Sequence, residues 1–120
     1  MQGMSKMHKP EAVFRIRGNK IFWGPGLMEL LAKVDETGSV KAASKEMYMS
    51  YAKARRLIAL AESELGYSLT APSRGGASRG GTALTEEGRK YLENCSSIQN
   101  ELQTRCEELY KRYFQKNDDV

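Results

Sequence analysis

Residue types suited to holding a polyanion are gathered in one short stretch of this chain. Between positions 39 and 56 stand Ser39, Lys41, Ser50, Tyr51, Ala52, Lys53, Arg55 and Arg56. If Ser50 opens a helix, Ala54, Leu57, Ile58, Ala61 and Leu65 fall on a core face before Gly66 ends it, which turns Tyr51, Ala52, Arg55 and Arg56 outward. A serine at such a cap accepts from the helix amides and keeps its own proton for a phosphate oxygen. Arginine presents a planar fork that matches both phosphate and the acceptor edge of guanine. Two more arginines, Arg74 and Arg79, stand in Arg74-Gly75-Gly76-Ala77-Ser78-Arg79-Gly80-Gly81, whose four glycines describe a loop able to follow a charged backbone. No Gly-Lys-Ser/Thr follows those glycines, so a nucleotide-binding phosphate loop is excluded.

Other chemistries have little to work with. The single histidine, His8, lies near the N-terminus, and the two cysteines, Cys95 and Cys106, form no CxxC or Cys/His cluster. A zinc site, a catalytic dyad and a cofactor fingerprint are therefore not expected, and the chain reads as no enzyme and as needing no cofactor. On one helix the two cysteines would stand about 16 Å apart, too far for a disulfide, and a reducing cytoplasm is the simple setting.

The charge is unevenly placed. Nineteen Lys+Arg face fifteen Asp+Glu, a net +4, and the sequence pI is near 9.1. Residues 38 to 60 alone hold five bases and one acid, while residues 91 to 120 hold four bases and six acids. Such polarity fits a footprint on a polyanion such as nucleic acid. A mean hydropathy of −0.60, no apolar run near the ~18 residues of a membrane helix, and Gln2 where myristoylation needs glycine argue against a membrane.

These side chains need elements to position them. Residues 1 to 10 lack periodicity and are set aside as a disordered leader or expression remnant. Ala12 to Arg17 alternates apolar and basic residues, Gly18-Asn19 offers a turn, and Lys20 to Trp23 completes a hairpin. Leu27, Leu30, Leu31 and Val34 make a helical face that stops at Thr37-Gly38. Ser39 caps a short helix to about Met47, and Ser50 caps the next one. Tyr67 to Ser73 and Thr82 to Leu84 read as strands flanking the glycine-rich tip. Thr85 caps a last helix, with Glu86 and Glu87 in its first turn, that runs to about Phe114. The fold class is mainly α with small β hairpins. Its divisions are a leader over 1–10, a winged helix-turn-helix over 11–84, and a long C-terminal helix with a frayed tail over 85–120.

The helix-turn-helix rests on Ala43, Met47, Met49, Ala54 and Leu57 at core positions, with the small Ser44 at the helix crossing. The strand, basic tip and strand that follow supply a wing suited to phosphates or the minor groove. Two surface helices with solvated charges would share the spacing; the wing is what separates the readings.

The run GSVKAASKEMYMSYAKARRLIALAESELGYSLT, with the glycine-rich loop and TALTEEGRKYL after it, resembles the winged helix-turn-helix of LysR-type regulators. It is closer still to the N-terminal domain of molybdate-dependent, ModE-type regulators, which also carry a strand pair before the first helix. The resemblance spans about residues 12 to 115 and implies a dimeric, bacterial-type transcription regulator that binds double-stranded DNA. Three positions depart from the pattern. Tyr48 replaces the glycine usual at the turn, so either it adopts an uncommon backbone conformation or the turn differs. Arg55 stands where the molybdate family tends to carry tryptophan. Thr70-Ala71-Pro72 replaces the usual apolar-x-Arg entry to the wing. Molybdate-binding domains have no counterpart after the last helix, so no molybdate is expected on this chain.

Along that helix Tyr91, Cys95, Ile98, Leu102, Cys106, Leu109 and Tyr113 repeat at spacings of three and four. The first half of the stripe is expected to pack on Leu27, Leu30, Leu31 and Val34. Ile98, Leu102, Cys106, Leu109 and Tyr113 outrun the domain and are expected to pair with a second copy. The reading is thus a sequence-specific, homodimeric, cytoplasmic transcription regulator with its recognition helix in the major groove. A winged-helix adaptor that binds protein and has no specific DNA site is the alternative.

Overall fold

In the computed structural model, residues 8–73 and 81–115 are described. The elements are β1 (Ile16–Arg17), β2 (Ile21–Trp23), α1 (Pro25–Thr37), α2 (Val40–Glu46), α3 (Tyr51–Leu65), β3 (Thr70–Ser73), β4 (Gly81–Leu84) and α4 (Glu86–Tyr110), which continues into a π-helical turn over Lys111–Gln115. Mainly helical, with two antiparallel two-stranded hairpins, this is the expected winged helix-turn-helix with a long last helix.

The helix ends follow from local chemistry. Ser39, Ser50 and Thr85 each sit in extended backbone and accept, through the side-chain oxygen, from the amide three residues on: Ala42 at 3.0 Å, Lys53 at 3.0 Å and Gly88 at 2.8 Å. Pro25 opens α1, where its missing N–H has no cost, and Gly38 and Gly66 close α1 and α3 with φ of +75° and +83°. The α2–α3 turn closes differently. Tyr48 has φ +56°, its N–H donates to the Lys45 carbonyl and that of Met49 to the Ser44 carbonyl, which is a Schellman closure with tyrosine in the left-handed position. Of the two possibilities open at Tyr48, the uncommon backbone conformation is the one adopted.

The core lies where α1, α2 and α3 cross. Leu30, Leu31 and Val34 of α1 meet Ala43 of α2 and Ala54 and Ala61 of α3, all fully buried, and the alanines let the helix backbones approach. Ser44 is buried at the crossing and satisfies its hydroxyl on the Lys41 carbonyl. Trp23 seals the base, its ring edge-on to Tyr91 of α4 with centroids 5.1 Å apart. Tyr91 and Cys95 sit in this apolar packing, and burial pushes the phenol up to about 12 and the thiol up to about 11. The two thiols are free.

The first hairpin is shorter than the alternation of residues 12 to 17 suggests. Only Ile16 and Arg17 pair with β2, opposite Trp23 and Ile21. Residues 10 to 14 run instead as an extended strap along α4. Gln99 accepts from Phe14 N–H at 2.9 Å and donates to the Ala12 carbonyl at 2.8 Å; Gln103 accepts from Ala12 N–H at 2.9 Å and donates to the Pro10 carbonyl at 3.0 Å. The side-chain amides take the place of a partner strand, and these bonds reach back to Pro10. Residues 1–7 lie outside the described ones.

Candidate nucleic-acid interface

The wing is fixed to the helices from two sides. In β3–β4, Thr70 faces Leu84 and Ser73 faces Gly81, while Thr82 N–H also donates to the Gly38 carbonyl at 2.8 Å, tying β4 to the linker before α2. On the other side Glu62 of α3 accepts through Oε2 from the amides of Leu69 (2.8 Å) and Thr70 (3.3 Å). The start of β3 is thereby hung from α3 by one carboxylate. Leu69 is fully buried, and Thr85 holds the far end: its N–H donates to the Leu69 carbonyl at 2.9 Å and its hydroxyl to the Ser68 carbonyl at 2.7 Å.

Against this frame the outward face of α3 is plain. Ser50, Tyr51, Ala52, Lys53, Arg55 and Arg56 are all exposed. Helical geometry puts Ala52, Arg56, Ala59 and Ser63 opposite the buried Ala54, Ile58 and Ala61. Arg56 is therefore the one long side chain among small ones on that edge, a shape that lets a helix sink into a groove. The Arg55 guanidinium lies over the Tyr51 ring at 5.8 Å, a cation–π contact that aims it along the groove of about 370 Å³ between α3 and the wing strands. Glu62, Thr70, Pro72 and Thr82 line the rest of that groove. Ser50 spends its lone pair on Lys53 N–H and keeps its proton for an acceptor. Ser39 does the same at the start of α2, and Lys41 is exposed one residue inside that helix. Arg74 and Arg79 lie outside the described residues.

Two residues that matter here escape a reading of spacing. Glu62 is an acid in the C-terminal half of α3, where the helix dipole disfavours it, but Glu64 shares that position, and nothing in the sequence separates the two. Gly88 is buried at the third position of α4, and a Cβ there would collide with the Leu69 backbone carbonyl, so only glycine lets α4 start this close to the wing.

Burial changes along the stripe on α4. Cys95 is buried and Tyr91 half-buried, while Ile98, Leu102 and Tyr113 are exposed by 43%, 41% and 59% and Cys106 and Leu109 are half-buried. The molecule measures 62 × 31 × 23 Å, and α4, at 25 residues, is its longest element. At its end Tyr110 stacks on Phe114 with centroids 5.0 Å apart. Among the described residues no group of three or more His, Cys, Asp or Glu could hold a metal ion, and no helix is long and apolar enough to cross a membrane.

Comparison with known proteins agrees with this architecture. Residues 26–89 match the bacterial regulatory helix-turn-helix proteins of the lysR family. No curated protein matches the chain. Among solved structures, the DNA-binding domain of CbnR in a complex with DNA superposes with a TM-score of 0.56 at 26% identity, over 72% of this chain and 93% of that one. VV2_1132, a LysR family transcriptional regulator, superposes with a TM-score of 0.58 at 21% identity, over 76% of this chain and 30% of that one. The present chain thus spans about a third of that regulator. With a matched region covering more than half its length and the same winged fold, the chain belongs to the LysR family of bacterial regulatory helix-turn-helix proteins.

Proposed function

We propose that this protein is a sequence-specific regulator of transcription that binds double-stranded DNA as a homodimer. Residues 11–84 form the DNA-binding domain and residues 85–120 carry the dimerisation helix. The observation that carries the reading is the outward face of α3: a capped N-terminal turn with Ser50, Tyr51, Ala52 and Lys53 exposed, then Arg55 and Arg56. Such a helix enters the major groove by its first turns. Arg56 reaches base edges, Ala52 can meet a thymine methyl, and Arg55, held over Tyr51, serves the strand running through the groove beside the wing. Ser39, Lys41, Ser50 and Lys53 hold phosphates, and Arg74 and Arg79 on the wing follow the backbone or minor groove. That CbnR, 26% identical, has its domain solved with DNA supports the same partner here.

The dimer rests on α4. Ile98, Leu102, Cys106, Leu109 and Tyr113 form a stripe on a helix that outruns its own body, and a second copy of the same stripe, related by a two-fold axis, covers it. Two linked domains then present two recognition helices to successive turns of one groove.

Selection of a binding site from random duplexes, followed by anisotropy titration against salt, tests the reading. Lys41, Lys53, Arg55, Arg56, Arg74 and Arg79 set a slope of log affinity against log salt no steeper than about −5 per protomer. Failure to enrich any sequence, or an affinity indifferent to salt, would favour the adaptor reading, for which the exposed α4 stripe would be the docking face.

A further inference from the structure

Tyr48 stands out among the exposed residues. It is 98% exposed, so its side chain packs on nothing among the described residues. It also holds a left-handed backbone, φ +56°, which a glycine would hold without penalty and a residue with a Cβ does not. The Schellman closure of α2 demands that conformation at this position, and it makes no use of the phenol. A side chain that costs the fold and contributes no packing to it is the kind of local rule-breaking that marks a functional position.

Its location says what the function is. Tyr48 lies two residues before Ser50, the N-cap of α3, and Met49 between them is half-buried against the core. Tyr48, Ser50, Tyr51, Ala52 and Lys53 therefore form an exposed strip that begins in the turn and runs into the first turn of the recognition helix. We propose that Tyr48 is a DNA-backbone contact, its phenol hydroxyl donating to a phosphate oxygen of the strand that borders the major groove entered by α3. The inference rests on the DNA-binding reading above and adds to it a contact that fixes register without reading a base. A neutral donor suits this place, because it holds a phosphate without displacing a counterion.

Tyr48→Phe and Tyr48→Gly test it, measured by anisotropy on the selected duplex and on an unrelated one, at several salt concentrations, beside thermal melts. Both variants should bind about tenfold more weakly or worse, on both duplexes alike, because a hydrogen bond to a charged group is lost. The salt slope should stay that of the wild type, unlike the slope of an arginine or lysine variant. Tyr48→Gly should melt at or above the wild-type temperature, so affinity and stability move apart; a purely structural tyrosine would move them together. Wild-type affinity in Tyr48→Phe overturns the proposal, as does a loss confined to one duplex or a changed slope. A wild-type protein that binds neither duplex would instead refute the DNA-binding reading itself, together with this extension of it.

Discussion

Replacing Gly88 by alanine sets two physical arguments against each other. Gly88 is the third residue of α4, and on helix propensity alone alanine there is worth about 0.5–1 kcal/mol of added stability. The structure reverses the sign. A Cβ at this position would run into the carbonyl oxygen, carbonyl carbon and Cα of Leu69, all backbone, with no side chain that could swing aside. Leu69 is itself fully buried, so the segment cannot simply retreat. Overpacking of this kind costs about 1–3 kcal/mol. Making room also pulls apart two hydrogen bonds, Thr85 N–H to the Leu69 carbonyl at 2.9 Å and the Thr85 hydroxyl to the Ser68 carbonyl at 2.7 Å. Each contributes about 0.5–1.5 kcal/mol. After the propensity gain is set against these losses, the variant should be about 1–5 kcal/mol less stable, centred near ~3, out of the ~5–15 kcal/mol a domain of this kind has.

Urea unfolding followed by circular dichroism reads the difference directly, and the melting temperature should fall by roughly 10–20 °C. Gly26→Ala is the matched control. Gly26 is also an early residue of a helix, α1, but a Cβ there would meet nothing within 4 Å, so that variant should be about 0.5–1 kcal/mol more stable. A Gly88→Ala protein as stable as the wild type, with Gly26→Ala behaving as stated, would refute the close approach of α4 to the start of the wing.

Arg55→Ala and Arg56→Ala should each weaken binding to the selected duplex by about 1–3 kcal/mol with unchanged melts; normal affinity in both would remove α3 from the interface. Leu102→Asp combined with Leu109→Asp should sediment as a monomer and bind only weakly, since charge in an apolar seam costs more than the lost packing and the second recognition helix is no longer linked; a wild type that sediments as a monomer at tens of micromolar would refute the dimer. Stability should fall as pH rises from about 9 to about 11, because Cys95 ionises at 9.0 in the unfolded chain but is pushed up to about 11 by burial. The loss from this thiol reaches the order of 2 kcal/mol at the upper end. Equilibrium unfolding across that range checks it; Cys95→Ala should flatten the profile between about 9 and 10, while above 10 the raised Tyr91 phenol keeps part of the fall.

What the sequence disclosed was whatever local chemistry decides. Ser39, Ser50 and Thr85 are legible as caps because a cap is made within three residues, and Gly38 and Gly66 as helix ends because a left-handed residue needs no distant partner. The core face of α3 and the stripe of α4 follow from a period of 3.6. The missed features all depend on pairings between separate elements. Glu62 reads as one more surface acid until the wing amides are brought to it, and Gly88 reads as a weak point in a helix until Leu69 lies against it. Alternation in residues 12 to 17 correctly marks an extended backbone, but it carries no mark of what that backbone bonds to.

The strap shows why that last partner was out of reach of pattern reading. An extended segment laid on a helix brings unpaired amides and carbonyls with it, and an apolar helix face would leave them without partners at a cost. Glutamine is the side chain that can accept and donate at once, as a strand edge does. Spacing then has to match: four residues of helix rise about 6 Å, and two residues of extended chain span about 6.5 Å. Gln99 and Gln103, four apart on α4, accordingly meet Phe14 and Ala12, then Ala12 and Pro10, two apart on the strap, with the two segments running in opposite directions. Two polar residues that periodicity assigns to solvent are thus what fastens the N-terminal segment to α4. The strap occupies the flank of the helix beside the stripe, and Ile98 and Leu102 remain exposed. That division gives α4 two faces: amides that hold its own chain, and an apolar row that stays exposed.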